Sequence, residues 1–418
     1  MKSKYDGGRS ARGYLPTLDG WRTLSIAPVN LPGSKASVTL DLVRAIAAIL
    51  VLLSHWRARF FVDYSHIPDH QAWFRLPYRI TDLGHQSVLI FFVLSGYLIS
   101  GSILRSLRNG QWHWRTYLTH RLVRLWIVLI PGILLGGLWD WIGMHHSPAP
   151  ALYLGGLRPD DVDLRLTLTL PTLFGNLLFL QTLLVPTFGS NGALWSLANE
   201  FWYYILCPLG WLALRRGTPF SRRLAYLALL FPLMWFLRAS ILRLFPIWLD
   251  GTILALLPTL RLTRLTRIAA AVVYVPLVLA FAGLRTGHTY REDFVFGLVT
   301  TLFFWIMLSA TEHATGSLTT RLARQGARFS FTLYIVHMPA LVLLTSLCIG
   351  TSVYSPTDLR HLAMALAVLL LVIAYAWLIA SLTEFRTDRV RAWVERHLNL
   401  SSKTPSRRKK DTLVGAGR

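Results

Sequence analysis

The run LDLVRAIAAILVLLSHW, residues 40–56, decides the fold because it combines a long apolar stretch with ionisable side chains. A helix that crosses a membrane needs about 20 mostly apolar residues, and this run supplies most of that length. Asp41, Arg44 and His55 are costly inside a bilayer, so their presence in such a run indicates function. The run therefore predicts a membrane helix that carries part of a functional site.

Composition extends this interpretation to the whole chain. Of its 418 residues, 53% are hydrophobic and 15% are charged, whereas soluble domains carry about 25% charged residues. We predict an all-α fold, a polytopic membrane bundle of about ten transmembrane helices, from the apolar runs of sufficient length. The predicted spans are 40–57, 86–104, 122–141, 194–213, 224–241, 245–259, 268–284, 294–312, 329–350 and 361–383.

The distribution of basic residues predicts the orientation of this bundle. The net charge is +23, with 43 Lys and Arg. If the apolar stretch 171–186 is re-entrant or interfacial and does not cross, most of these residues fall on one side, which is then cytosolic. Both termini are then cytosolic as well. Irregular backbone at membrane depth must be covered by protein or water, so 171–186 is expected to line a cavity.

Three regions follow from the charge pattern. Residues 1–37 are predicted to be a basic, mostly disordered cytosolic arm, 38–385 the membrane domain, and 386–418 a basic cytosolic tail. Both basic regions adjoin membrane spans, which favours contact with anionic membrane lipids over binding of nucleic acid. The first apolar run follows a basic stretch and continues like a signal anchor, so no cleavable signal peptide is expected.

Span one predicts two functional groups on one helix face. Arg44 and His55 are eleven residues apart, which is close to three helical turns and about 16 Å along the axis. One stripe then presents a cation in the inner half of the membrane and an imidazole in the outer half. Two simpler interpretations stay open: Arg44 extends to the cytosolic interface, and His55 is an interfacial histidine at a helix end.

Two further groups carry charge into the bundle. Arg121 and Arg124 are three residues apart at the inner end of span three, where such a pair suits phosphate groups, although positive-inside charge explains it equally. Glu200 lies within the run ALWSLANEFWYYIL (193–206) and needs a partner or a task. We predict a pair between Glu200 and His55, which lie at similar depth. The alternative is a structural pairing with an outer-loop Arg or Trp.

A late span and one small-residue pair complete the candidates. The run FSFTLYIVHMP (329–339) places Tyr334 and His337 in the membrane. For His337, a supporting role through hydrogen bonds is favoured over the role of a second catalytic base. Gly132 and Gly136 predict a helix-packing contact. The two cysteines, Cys207 and Cys348, lie in apolar runs, so no disulfide framework is predicted. The sequence also predicts no metal site, Walker loop or dinucleotide fingerprint.

Taken in order, these runs resemble the membrane-bound acyltransferase 3 family, whose members O-acylate carbohydrates of the cell envelope. The resemblance covers about residues 38–383. It rests on five runs, which are LDLVRAIAAILVLLSH (40–55), SVLIFFVLSGYLIS (87–100), HRLVRLWIVLIP (120–131), LWSLANEFWYYIL (194–206) and FSFTLYIVHMP (329–339). The family is also similar in having about ten core spans and a re-entrant element before the fourth of these runs.

The resemblance implies an O-acyltransferase of the bacterial inner membrane. Acyl-CoA, with acetyl preferred, would be a co-substrate, and no cofactor would be bound permanently. The acceptor would be a surface polysaccharide or exopolysaccharide, with polysaccharide-synthesis proteins as partners. The hypothesis takes His55 as general base, Glu200 as its orienting group, and Arg44 or Trp195 as oxyanion donor. Arg121 and Arg124 would bind the CoA phosphates. The residues that would support this site are Asp41, Ser95, Tyr334 and His337.

Three alternatives stay open from the sequence. Buried charges and a re-entrant segment also suit a transporter or flippase of a polar lipid or sugar-lipid, although no internal repeat is visible. A channel that only hands an acyl group to a partner enzyme would need the same arginines. Within the acyltransferase hypothesis, His55 could form a covalent acyl-histidine, which predicts ping-pong kinetics.

Overall fold

The computed structural model describes residues 34–67, 72–155, 162–283, 289–310, 312–314 and 316–400. Within them the regular structure is helical, and strand pairing is limited to isolated bridges. The helices are α1 (Lys35–Phe60), α2 (Arg75–Thr81), α3 (Gly84–Arg108), α4 (Trp114–His146), α5 (Leu164–Thr167), α6 (Leu170–Leu177), α7 (Leu194–Leu214), α8 (Phe220–Leu242), α9 (Phe245–Leu256), α10 (Arg264–Gly283), α11 (Tyr290–Met307), α12 (Leu318–Cys348), α13 (Leu359–Leu382) and α14 (Thr387–His397).

Seven helical stretches of the described chain are long and apolar enough to cross a membrane. They are Lys35–Phe60, Ala72–Arg108, Trp114–His146, Phe220–Leu242, Arg264–Ala282, Leu318–Cys348 and Leu359–His397. The all-α, multi-pass fold is thereby confirmed. The other three predicted spans coincide with α7, α9 and α11, which are not among these seven stretches. The count of ten crossings therefore stays a prediction. The cytosolic position of the termini stays a prediction as well.

Two apolar segments are too short to cross as single helices. Helix α9 has 12 residues, and α8 before it breaks at Arg238, whose φ of 51° is not helical. Helix α6 has eight residues. The chain after α6 turns through left-handed φ values at Phe179 and Thr182. The segment 171–186 therefore does not form one spanning helix. None of its residues lines the three cavities described below, in contrast to the prediction, whereas Thr187, Gly189, Ser190 and Gly192, which follow it, line one of them.

Helices α3 and α12 form the interior of the bundle. Helix α12 packs against α1, α4 and α13, and α3 packs against α1, α7, α9 and α11. The predicted contact of Gly132 and Gly136 is confirmed: both face α12, where an added Cβ would lie 2.6 Å from the Ile335 side chain and 3.1 Å from that of Pro339. Helices α8 and α10 are mostly exposed, so they lie on the periphery of the bundle.

The two terminal regions differ from each other. Of the predicted arm 1–37, only residues 34–37 are described, and they begin α1, with the Ser34 hydroxyl accepting a hydrogen bond from the Ser37 amide. The predicted tail 386–418 begins as a helix, α14, which packs against α4. Residues 401–418 lie outside the described residues.

Candidate functional site

A central cavity of about 190 Å³ lies between α1, α3, α4, α7 and α12. Six predicted site residues line it together, which are Arg44, Ser95, Arg121, Arg124, Glu200 and Tyr334. The remaining wall is largely apolar, with Phe91 and Phe92 of α3 among its members. The structure therefore brings most of the sequence candidates to one buried place.

A second cavity, of about 540 Å³, adjoins the central one near the start of α1, and we call it the arginine cavity. The two share Arg44, Arg121 and Arg124 in their walls. The charged residues lining the arginine cavity are Asp41, Arg44, His120, Arg121, Arg124, Arg324, Arg328, Glu384, Asp388 and Arg391. Six arginines against three carboxylates leave its wall positive, which suits a polyanion.

A third cavity, also of about 540 Å³, lies at the other end of α1, and we call it the histidine cavity. His55 and Arg59 line it, and because they are four residues apart they lie on one face of the helix. Much of the rest of its wall is apolar or glycine, including Leu164 of α5 and Val342 of α12. This cavity joins one imidazole to one cation in a mostly uncharged setting.

Glu200 belongs to the central cavity, and its contacts differ from the predicted pair. Its Oε1 accepts hydrogen bonds from the Ser95 hydroxyl, at 3.1 Å, and from the Tyr204 hydroxyl. Its charge also interacts with that of Arg44. Across the described residues, none of its hydrogen bonds or ion pairs involves His55, because the two side chains line different cavities.

His55 instead meets His337 of α12, with ring centroids 5.3 Å apart. His337 is fully buried, and its Nδ1 donates to the carbonyl oxygens of Leu333 and Tyr334 at 3.0 and 2.9 Å. A carbonyl oxygen only accepts, so these contacts assign the ring proton to Nδ1. In the neutral ring, Nε2 is then left as an acceptor. The His337 ring is thus held by its own helix and lies against His55, and its role as support stays a prediction.

A row of rings connects the central cavity to the histidine cavity. Tyr334 lines the central cavity, and its ring centroid lies 6.2 Å from that of His337, which in turn contacts His55. The Tyr334 hydroxyl is held 2.6 Å from the Ser196 hydroxyl and donates to the Ala193 carbonyl at 3.1 Å. These rings form a thin wall between the two cavities.

A buried carboxylate shapes the far side of the histidine cavity. Asp140 of α4 accepts hydrogen bonds from the Ser190 amide at 2.8 Å and from the Ser190 hydroxyl at 2.6 Å. An added Cβ at Gly189, which has a φ of 61°, would lie 2.1 Å from the Asp140 carboxylate. Both Ser190 and Gly189 line the cavity. Asp140 therefore fixes the position of this loop relative to His55.

Some sequence candidates lie elsewhere, and some site residues were missed. Trp195 packs edge-on against Phe92 and does not line the three cavities. Arg59 was missed, although its position one turn after His55 was a usable signal. Glu384 was also missed; it accepts hydrogen bonds from the amide and hydroxyl of Thr332, and its charge interacts with Arg44. Its position, directly after a long apolar run, was the available signal.

The described residues hold no group of three or more His, Cys, Asp or Glu side chains that could bind a metal ion. The fold is that of a multi-pass helical membrane protein with an arginine cavity at one end of α1, a histidine cavity at the other and a central cavity between them. A comparison with protein families identifies it further. The acyltransferase 3 family model, described as an acyltransferase domain, matches residues 38–381. The chain belongs to this family and is a membrane acyltransferase. Comparisons with curated proteins and with solved structures give no match.

Proposed function

We propose that this acyltransferase moves an acyl group, acetyl by preference, from acyl-CoA to a hydroxyl of an extracytoplasmic carbohydrate. The arginine cavity would hold the donor on the cytosolic side, and the histidine cavity would hold the acceptor on the outer side of a bacterial inner membrane. The observation that carries the proposal is the placement of the two cavities at opposite ends of α1, separated by a wall of rings.

The donor fits the arginine cavity by charge and by length. Acyl-CoA carries its phosphates at one end and its thioester at the other. Arg121 and Arg124 would bind phosphate oxygens through charge-assisted hydrogen bonds. The pantetheine arm would then run through the central cavity past Arg44. Arg44 and His55 lie on one continuous helix, so they are about 16 Å apart along its axis, a distance that an extended pantetheine arm covers.

The transfer itself would take place beside His55. His55 accepts the proton of the acceptor hydroxyl as the oxygen attacks the thioester carbonyl. A new C–O bond forms, the C–S bond breaks, and the hydroxyl proton passes to the departing CoA sulfur. His337 would hold the His55 ring in position. A covalent acyl-histidine would give ping-pong kinetics, whereas direct transfer requires a ternary complex.

The oxyanion donor proposed from the sequence needs revision. A donor must lie about 3 Å from the oxygen that becomes charged. Arg44 is three helical turns from His55, which is farther than its side chain extends, and Trp195 lines none of the three cavities. Arg59 lines the same cavity as His55, one turn away. We assign the stabilisation of the oxyanion to Arg59. Arg44 would instead guide the pantetheine arm where it passes between Glu200 and Arg124.

A labelling experiment tests the function directly. Membranes from a strain that lacks the protein would be supplied with radiolabelled acetyl-CoA, with and without the restored wild-type chain. We expect label in an alkali-labile ester on envelope carbohydrate only when the chain is present. Label in lipid or protein, with none in carbohydrate, would contradict the acceptor class. Absence of chain-dependent label would contradict the proposed donor.

A further inference from the structure

The tail helix α14 lies outside the matched family region, yet it forms part of a cavity wall. The family model ends at residue 381, and α14 begins at Thr387. Asp388 and Arg391, one turn apart on this helix, both line the arginine cavity. Phe385 and Thr387, which lead into the helix, line it as well. A segment that the family pattern does not include therefore closes one side of this cavity.

Contacts at both ends hold α14 in place. At its far end, Glu395 forms a hydrogen bond with His120 of α4. At its near end, Glu384 accepts hydrogen bonds from the Thr332 amide at 3.0 Å and hydroxyl at 2.8 Å. The Arg328 guanidinium lies 4.4 Å from the centroid of the Phe385 ring. These contacts tie the helix to α4 and α12, so its orientation toward the cavity is defined.

The arginines on this wall are available to a phosphate ligand. Arg391 pairs with Asp388 at 2.8 Å, but the Asp388 side chain is 86% exposed, and such surface pairs contribute little. A phosphate group can therefore replace the carboxylate at modest cost. The Arg328 guanidinium lies over the Phe385 ring and lines the arginine cavity, and a guanidinium carries five N–H donors with which it can bind a phosphate.

We propose that Arg391 of α14, together with Arg328 of α12, binds the nucleotide phosphates of the acyl-CoA donor. The inference rests on the proposed function, because it assigns a place to the nucleotide end of that donor. Arg121 and Arg124 lie where the arginine cavity meets the small central cavity, so they face the diphosphate next to the pantetheine arm. Arg391 and Arg328 line the arginine cavity but not the central cavity. They therefore bind the remaining phosphate of the nucleotide, which lies farther from the pantetheine arm than the diphosphate does.

The test measures binding of two acetyl thioesters to purified full-length protein. Acetyl-CoA carries the nucleotide, and S-acetyl-pantetheine lacks it. For Arg391→Ala we expect acetyl-CoA affinity to fall about tenfold, the size of one lost charge-assisted hydrogen bond. Affinity for S-acetyl-pantetheine should not change, which also shows that the variant is folded. Arg391→Lys should recover part of the loss. The matched control is Arg389→Ala, on the same helix but exposed and outside the described cavities.

The outcomes separate this inference from the function on which it depends. If wild-type protein binds acetyl-CoA and Arg391→Ala binds it equally well, α14 has no part in the donor site. If Arg391→Ala and Arg389→Ala weaken acetyl-CoA binding equally, the effect comes from the loss of any positive charge on α14, and the inference fails. If wild-type protein binds no acetyl-CoA, the proposed donor fails with it.

Lipid head groups carry the same phosphate chemistry, so one arm of the test addresses them. The measurements are made in neutral detergent and repeated with added phosphatidylglycerol. A donor site at Arg391 predicts that the loss of acetyl-CoA affinity in Arg391→Ala persists without the lipid. A loss that occurs only with the lipid present would assign Arg391 to a lipid head group and overturn the inference.

Discussion

The arginine cavity and the histidine cavity have the same volume, about 540 Å³, but opposite character. Six arginines from four helices line the first, whereas Arg59 is the one arginine among the described residues lining the second. The first wall can attract a polyanion over a distance and hold it by charge. The second offers one imidazole, one cation, the carboxylate of Asp63 and an otherwise largely apolar surface, which suits a neutral sugar selected by shape. In the proposed function, donor binding and chemistry are thus separated along α1.

The largest expected effect falls on chemistry alone. His55→Gln removes the proposed base, so the transfer rate should fall by about 10²- to 10⁴-fold. Affinity for acetyl-CoA should stay within about twofold, because the donor phosphates lie at the other end of α1. Single-turnover assays and equilibrium binding measure the two quantities. His66→Gln, at an exposed histidine outside the cavities, is the control. A parallel loss of binding in His55→Gln would show that the separation is wrong.

The second prediction concerns a substitution that weakens donor binding but leaves the transfer step largely unchanged. Arg124→Gln removes a cation shared by the central and arginine cavities, so the Kd for acetyl-CoA should rise about 10- to 100-fold. At saturating donor, the transfer rate should recover most of its wild-type value. Arg115→Gln, an exposed arginine on the same helix outside the cavities, should leave the Kd unchanged. If saturating donor does not restore the rate, Arg124 acts in the reaction step as well.

A third substitution affects both cavities, because it lies where α4, which lines the arginine cavity, packs against α12, which lines both. Gly132→Ala would place a Cβ 2.6 Å from the Ile335 side chain, and overpacking of this kind costs about 1–3 kcal/mol of the free energy of unfolding. Gly136→Ala, at 3.1 Å from the Pro339 side chain, should cost less. Gly210→Ala meets no atom within 4 Å and serves as control. Thermal unfolding in detergent ranks the three. Equal behaviour of all three variants would rule out close packing as the cause.

The smallest effect is expected at the loop that borders the histidine cavity. Asp140→Asn removes the charge from the hydrogen bonds to Ser190, so the acceptor KM should rise about fivefold, or ~1 kcal/mol. The donor Kd should not change. Ser190→Ala should give a similar increase, and the double substitution should add little because both remove one interaction. Full additivity of the two effects would mean that Asp140 does not act through Ser190.

Much of the fold was predictable because long apolar runs leave little choice but membrane helices. The boundary between α8 and α9 agrees with the separately predicted spans 224–241 and 245–259, but the break at Arg238 within α8 was not predictable, since 224–241 reads as one apolar span. Tertiary contact explains why α9 lies where it does: added Cβ atoms at Gly96 of α3 and Gly251 of α9 would lie 1.9 Å and 2.0 Å from backbone oxygens of the opposite helix. Such a close backbone approach depends on two distant segments and has no local signature.

The candidate site was predictable where helical spacing alone decides it. Arg121 and Arg124 share a cavity wall with Arg44, as their positions at one membrane depth indicated. The predicted pair of Glu200 and His55 did not form among the described residues, because spacing fixes depth but not the direction in which two helices face each other. Helix α7 turns Glu200 toward Ser95 of α3, and His337 takes the place beside His55.

The wall formed by the rings of Tyr334 and His337 also has an electrical consequence. Where water enters a membrane protein from both ends, the transmembrane voltage drops mainly across the short dry region between the two entrances. Moving one elementary charge through 100 mV corresponds to about 2.3 kcal/mol. A neutral acetyl group passes the wall without electrical work, whereas an ion does not. In the proposed function, the same two rings would thus separate donor from acceptor and insulate the membrane against current. Proton flux into vesicles containing the protein measures this insulation directly.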